Sequence, residues 1–379
     1  MKIAFVSSNF QWGGSEFLWR QAACLASRSG HHVTAFTFFE VPQKERTELI
    51  TAGVKVFRWS TPDLLSRLKH RLRQPAAGWQ TEIEAAHVRQ LADHRPDLVV
   101  LSQGGNFDGP PFAEACMQHA LPYALLANQA GERYWPTDRI ALRMAAAYAS
   151  ARHCWFVSKH NLELTEWQIG SSLPHASVIR HAIQVPAQVS PTWPTAEPSW
   201  RMACMARLTV HDKGQDLLIR LFSQDKWRGR PIRLSLYGRG YNEQSLRGMA
   251  AMLGVAQVEF TGQTDNLVEA WNQHHAILLP SREEGLPLAL VEAMMCHRMA
   301  VVTKVAGNPE VVDDGETGFI AAAPTVEHLD EALERAWLAR DRWQAMGMEA
   351  GRRIRSLMPV DPVGVFLEDV LRVAMQVVG

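Results

Sequence analysis

The 379-residue chain carries no net charge, because 39 lysines and arginines stand against 39 aspartates and glutamates. A chain so balanced has no global attraction for nucleic acid, and no nucleic-acid partner is expected. It also has no cysteine framework. Its five cysteines, at positions 24, 116, 154, 204 and 296, are odd in number, far apart and without a Cys-x-x-Cys pair. They imply neither a disulfide scaffold nor a metal centre and suit free thiols in a reducing cytosol. No apolar run approaches the roughly 18–20 residues that would cross a bilayer. The N-terminus, Met-Lys-Ile-Ala-Phe-Val-Ser-Ser, has a short apolar run and reads as a first strand rather than a secretory signal. A cytoplasmic protein is therefore expected. The dinucleotide fingerprint G-x-G-x-x-G is missing too, although Glu40 follows the second strand at about the place of a ribose-binding acid.

What is present is an alternation of strands and helices. Hydrophobic residues make up 47% and charged residues 21%, as in a globular protein, and the length calls for two domains. Apolar runs at 2–8, 33–38, 54–57, 98–101, 123–127 and 153–157 have strand length, with helical stretches between them. The turn Gly13-Gly14-Ser15 separates the first strand from an amphipathic stretch at 16–27. From Gln184 to Trp200, Pro186, Pro191, Pro194 and Pro198 mark a linker. Beyond it the alternation resumes, with strands at 201–206, 232–237, 258–261, 276–280, 300–303 and 319–321. A mostly helical tail follows, interrupted near Pro359 and Pro362. The expected fold is α/β, two Rossmann-like domains with doubly wound parallel sheets facing across a cleft. The boundaries are 1–183, a linker at 184–200, and 201–362, with a last helix at 363–379. Ligands in such sheets sit outside the carboxyl ends of the strands.

One stretch stands out. After the strand at 276–280 come Ser281-Arg-Glu-Glu284-Gly-Leu-Pro287, with Pro287 placed as the first residue of a helix. That helix, Pro287 to Cys296, is apolar almost all round and belongs in a core. Glu292 sits inside it with no lysine or arginine one turn before it, and His297 is the nearest candidate after it. A buried charge needs hydrogen bonds. The group is either a core carboxylate paired with a distant cation or backbone amides, or a carboxylate awaiting a hydroxyl-rich ligand. At the start of the second domain, Arg207 ends a strand, and Lys213 precedes Gly214 and a helix. Two cations on one strand–loop–helix crossing suit a diphosphate. Tyr237-Gly-Arg-Gly240 and Phe260-Thr-Gly-Gln-Thr264 are turns on the same edge, explained equally by ordinary turn chemistry.

These pieces together resemble family-4 retaining glycosyltransferases (glycosyl transferases group 1). The resemblance rests on Phe5-Val-Ser-Ser with Gly13-Gly14-Ser-Glu, on Met205-Ala-Arg-Leu…Lys213-Gly, and on Glu284 and Glu292 with seven residues between them. Gly307-Asn-Pro-Glu310…Gly318 continues it. The match is nearly continuous over 201–322 and thinner over the first domain. It implies the GT-B arrangement and a nucleoside-diphosphate sugar held mainly by the second domain, with Gly13 and Gly14 of the first domain also on the donor. Arg207 and Lys213 would take the diphosphate, Glu292 the ribose hydroxyls and Glu284 the donor sugar. The amides of Gly285, Leu286, Pro287 and Leu288 would meet sugar and phosphate oxygens, and Gln263 and Thr264 would lie near the base. Glu284, Arg207 and Lys213 form the implied catalytic set, with no metal and no cofactor beyond the donor. Retention is attributed in this family to front-face attack on a hydroxyl acceptor, which here means a glycan, a lipid-linked saccharide or a small molecule.

The chain departs from the family at one place. Many members carry a histidine after the strand corresponding to 123–127, where this sequence has Asn128-Gln129. An amide can bond a sugar hydroxyl but cannot act as acid or base. Either Asn128 or Gln129 positions the sugar, or the activity is altered. Tyr134 and Trp135 follow, as a sugar-stacking wall or a packing corner. The segment 62–73 places Arg67, Lys69, Arg71 and Arg73 around a leucine face. A solvated helix is the preferred reading, and peripheral contact with an anionic inner membrane face is the other. The competing functions are a nucleotide-sugar epimerase on the same fold and a sugar-nucleotide-binding protein that has lost catalysis. No oligomeric state is implied.

Overall fold

The computed structural model describes residues 1–9, 12–59, 85–186 and 188–378. The basic segment containing Arg67, Lys69, Arg71 and Arg73 lies outside the described residues. The chain divides into two compact units, Met1–Ala182 with Asp361–Gly379, and Ile183–Val360.

Unit 1 holds seven strands: β1 (Lys2–Ser7), β2 (His32–Thr37), β3 (Lys55–Arg58), β4 (Leu98–Gln103), β5 (Tyr123–Ala127), β6 (Cys154–Phe156) and β7 (Ala176–Val178). They lie in the order β3-β2-β1-β4-β5-β6-β7, all parallel. The apolar runs form strands because helices cover both faces and leave no polar side. β7 is short and only half-buried, so no apolar run marks it. The helix Glu16–Arg28 turns Leu18, Trp19, Ala22, Ala23 and Ala26 into the core. There it meets Phe366, Leu367, Val370 and Val373 of the C-terminal helix Pro362–Val378. The last helix is therefore part of unit 1.

Unit 2 holds β8 (Trp200–Met205), β9 (Ile232–Tyr237), β10 (Val258–Gly262), β11 (Ala276–Leu279), β12 (Met299–Thr303) and β13 (Gly318–Ala321). Their order is β10-β9-β8-β11-β12-β13, again parallel. In both sheets the order reverses beside the first strand, between β1 and β4 and between β8 and β11. The proline-rich stretch is counted with unit 2, where Val185 is in the core and Val189 and Trp193 pack against it. Helix Leu288–Met295 is buried, as its composition requires, but Pro287 stands just before it as the N-cap, with φ −62° and ψ 121°. The extended ψ keeps this proline out of the helix, while the carbonyl of Pro287 still accepts from Leu290 N at 3.1 Å.

Candidate active site

Unit 2 gathers its polar groups where the strand order reverses. β8 and β11 are parallel neighbours, so the segments leaving their carboxyl ends emerge side by side. The first contains Lys213 and the second Glu284. Lys213 Nζ lies 2.8 Å from Glu284 Oε2, with the two side chains only 15% and 8% exposed. Ser281 Oγ donates to the other carboxylate oxygen at 2.7 Å. Beneath them Cys204 has its thiol pushed up to about 12, by burial first and then by the charge of Glu284.

Several contacts fix this meeting. Arg282 grips Asp216 with two hydrogen bonds, of 2.7 and 2.8 Å, and donates to Val210 O at 2.7 Å. The carbonyl of Asp212 accepts the backbone N–H of Arg282 at 2.7 Å and of Glu283 at 3.1 Å. Gly214 has φ +67°, and a Cβ there would stand 2.3 Å from Pro280 O. Only glycine allows that backbone approach. Arg207 is exposed two residues beyond the end of β8. Its carbonyl accepts from Gln215 Nε2 at 2.7 Å, which anchors the backbone of this exposed cation.

Glu292 is 5% exposed. Its Oε1 accepts the backbone N–H of Gln184 at 3.1 Å. Burial holds its carboxyl above the ordinary value of 4.5, and that one hydrogen bond offsets the effect only in part, with no cation contributing. The structure thus gives this carboxylate an amide partner, and leaves it under-compensated for a charge so deep.

Around the helix start, none of the N–H groups of Gly285, Leu286, Leu288 and Ala289 has a backbone acceptor among the described residues. Pro287 has no N–H to offer, so the expected amide set shrinks by one. The carbonyl of Gly285 is held by Gly307 N at 2.9 Å. Asn308 donates to Thr303 O at 3.0 Å, and its Oδ1 is buried without a partner among the described residues. Gln263 is exposed and Thr264 half-buried at the end of β10, and Thr264 Oγ1 accepts from Asn266 N at 3.2 Å. One group of potential metal ligands lies nearby among the described residues, with an atom each from His211, Asp212 and Glu283 within 4.8 Å of one another. His211 is exposed and meets Asp212 Oδ1 at 2.8 Å.

Unit 1 builds a second polar edge at β1, β4 and β5. Gly13 O and Gly14 O accept the first amides of the helix, from Glu16 at 3.1 Å and Phe17 at 3.2 Å. A Cβ on Gly13 would meet nothing within 4 Å, so packing does not demand glycine there. Glu16 is fully buried and receives Trp19 Nε1 at 2.7 Å, Ser15 Oγ at 3.2 Å and Asn9 Nδ2. Burial keeps its carboxyl above the ordinary range despite these bonds. Asn9 and Asp108 converge on Gly104, where a Cβ would lie 2.2 Å from Asn9 Oδ1 and 2.9 Å from Asp108 Oδ2. Asp108, too, is raised by burial, and accepts Gly105 N at 2.6 Å.

Asn128 is 7% exposed. Its amide donates to Ser102 Oγ at 3.2 Å and to Gln103 O at 2.6 Å. These bonds fix the amide orientation, and Oδ1 is left buried with no partner among the described residues. Gln129 is half-buried, and its carbonyl accepts Asn106 N at 2.8 Å. Tyr134 tilts against Phe107 with centroids 5.7 Å apart, whereas Trp135 projects, 61% exposed.

Sequence reasoning missed Ser281, the Arg282–Asp216 clasp, the Gln184 amide, Asn9 and Asp108. The clasp joins residues 66 apart, and nothing local signals it. Glu16 carried no such signal as Glu292 did, because it opens an amphipathic helix with Arg20 one turn on.

Known proteins resemble this chain in sequence and in fold. The model of the glycosyl transferases group 1 family matches residues 200–338, a stretch that lies within unit 2. A GDP-mannose-dependent alpha-(1-6)-phosphatidylinositol monomannoside mannosyltransferase of Mycolicibacterium smegmatis is 34% identical over 163 residues, 40% of this chain and 42% of that one. The N-acetyl-alpha-D-glucosaminyl L-malate synthase of Bacillus anthracis is 35% identical over 79 residues, 21% of each chain. The chain thus spans less than half the length of these relatives. Among solved structures, Anabaena HepE in complex with UDP and glucose superposes with a TM-score of 0.77 at 17% identity, covering 98% of this chain and 99% of that one. WaaG, a glycosyltransferase of lipopolysaccharide biosynthesis, gives 0.69 at 16% identity over 97% and 98% of the two chains. The fold is GT-B.

Proposed function

We propose that this protein is a retaining glycosyltransferase that moves a sugar from a nucleoside diphosphate to a hydroxyl acceptor without a metal. The observation that carries the reading is the Lys213–Glu284 contact, with both side chains nearly shut off from solvent at the strand-order reversal. In the front-face reaction the bond from C1 to the leaving phosphate oxygen breaks as the acceptor oxygen bonds C1 on the same face. The acceptor's proton goes to the phosphate oxygen. Negative charge grows on the diphosphate, where Lys213, Arg207 and the free N–H groups at the start of helix Leu288–Met295 would meet it. Glu284 would then exchange its ammonium partner for a hydroxyl of the donor sugar, and Glu292 would bond the ribose.

Asn128 supports transfer over epimerisation, because an amide supplies no acid or base to the sugar ring. Its unpartnered Oδ1 suits a hydroxyl donor. The mycobacterial relatives are named for GDP-mannose and the Anabaena structure contains UDP. Guanosine- and uridine-based donors are therefore the first to test.

The test is incubation with GDP-mannose, UDP-glucose and ADP-glucose in the presence and absence of EDTA. Nucleotide release and product anomers are followed by chromatography and NMR. An α-linked product unaffected by EDTA is expected. An epimerised donor, or stabilisation by donors without turnover, would overturn the reading.

A further inference from the structure

At the far end of helix Leu288–Met295 the fold assembles positive groups. His297 follows the helix with φ +58°, the left-handed position that glycine usually takes. It is admitted because two glycines face it. A Cβ on Gly347 would stand 2.2 Å from His297 O, and one on Gly351 would stand 2.8 Å from His297 Nε2. Arg355 completes the clamp, with Nη1 at 3.1 Å from His297 Nε2 and 2.9 Å from Gly351 O, and with Nη2 donating to Met295 O at 2.8 Å. A guanidinium N–H facing Nε2 requires the neutral ring, with its proton on Nδ1.

His297, Arg352 and Arg355 line a cavity of about 650 Å³ together with Gln188 and Ser190. No acid occurs among the described residues lining it. Arg352 has an exposed partner in Glu349, whereas the partners of Arg355 are two carbonyls and the imidazole. Arg298, next in sequence to His297, is buried against Trp271 O at 2.8 Å and the carbonyl of Thr192. The imidazole senses this field: burial first, then Arg355, Arg298 and Arg352, hold His297 below the ordinary value of 6.5. A helix C-terminus capped by Arg355 explains that one side chain. It does not explain why Arg352, His297 and two hydrogen-bonding side chains of the proline-rich stretch surround the same hollow.

We propose that this cavity is an anion site, separate from the Lys213 loop, which takes a phosphate group through Arg352, Arg355 and His297. Guanidinium pairs bond phosphate oxygens bidentately, and the hollow has room for the phosphomonoester of a small metabolite or for a lipid headgroup. Both sources present the same chemistry, and the experiment separates them.

The full-length protein is titrated calorimetrically with inorganic phosphate and with glycerol 3-phosphate, and sedimented with phosphatidylglycerol or phosphatidylcholine vesicles. Saturable binding of a free phosphate, or sedimentation with the anionic vesicles alone, is expected. It should persist in Lys213→Ala, where the donor loop has lost its cation, and weaken at least tenfold in Arg352→Gln. The Arg352 side chain is 67% exposed, so its variant should melt at the native temperature. Binding lost in Lys213→Ala and kept in Arg352→Gln would assign the anion to the donor loop and overturn the proposal. No saturable binding of either phosphate and no vesicle sedimentation would also overturn it.

Discussion

Replacing Glu292 by glutamine separates what the buried carboxylate does for the fold from what it does for a ligand. The variant keeps the shape and one acceptor oxygen for Gln184 N, now 3.1 Å away, but removes the charge. Burial holds the native carboxyl above 4.5, so the native state takes up the proton at higher pH than the unfolded chain does. The stability this group contributes is therefore complete below about pH 4.5 and lost as pH rises through the native value. Between pH 4.5 and the native value, each pH unit takes about 1.4 kcal/mol of this group's contribution from the fold. Glu292→Gln should melt higher than the native protein at pH 7.5, with the advantage fading near pH 4.5. Ligand binding should move the other way. A hydrogen bond to a charged acceptor contributes about 1.5–3 kcal/mol and a neutral one about 0.5–1.5. Two ribose hydroxyls on the carboxylate would thus lose about 2–3 kcal/mol, or roughly 30–150-fold in Kd. Calorimetric titration with GDP and UDP, beside thermal melts at the two pH values, measures both. Unchanged nucleotide affinity would refute the ribose contact, and a lower melting temperature at pH 7.5 would refute the under-compensated charge.

Gly214→Ala forces a left-handed alanine, at a cost of about 1–2 kcal/mol. It also drives a methyl group onto Pro280 O, 2.3 Å away in ideal geometry. Urea denaturation should show a loss beyond that figure, with weaker nucleotide binding as Lys213 is pushed from Glu284; an alanine variant of native stability would refute the close approach. Trp135→Ala removes a side chain that is 61% exposed. Stability should stay within about 0.5 kcal/mol, while kcat/KM for transfer should fall. Unchanged kcat/KM would mean that Trp135 is no sugar-stacking wall.

Much of the fold was legible because parallel strands covered on both faces must be continuously apolar. That rule marked β1, β4, β5, β8, β11 and β12, and failed only where burial is partial, at β7. The spacing of Glu284 and Glu292 and the Lys213–Gly214 turn were visible for a similar reason: each breaks a local rule, a charge in an apolar helix or a glycine at a helix start. What the sequence by itself determined is therefore local, namely element type, the two sheets and the residues out of keeping with their surroundings. Only the tertiary structure decided which of these meet. The strand order β9-β8-β11 brings Lys213 to Glu284, 71 positions apart, and lets Arg282 clasp Asp216 behind them. The same holds for Gln184 at Glu292, for Asn9 and Asp108 over Gly104, and for His297 between Gly347, Gly351 and Arg355. Such contacts depend on how whole elements pack, and the identity of one partner places no constraint on where in the chain the other lies.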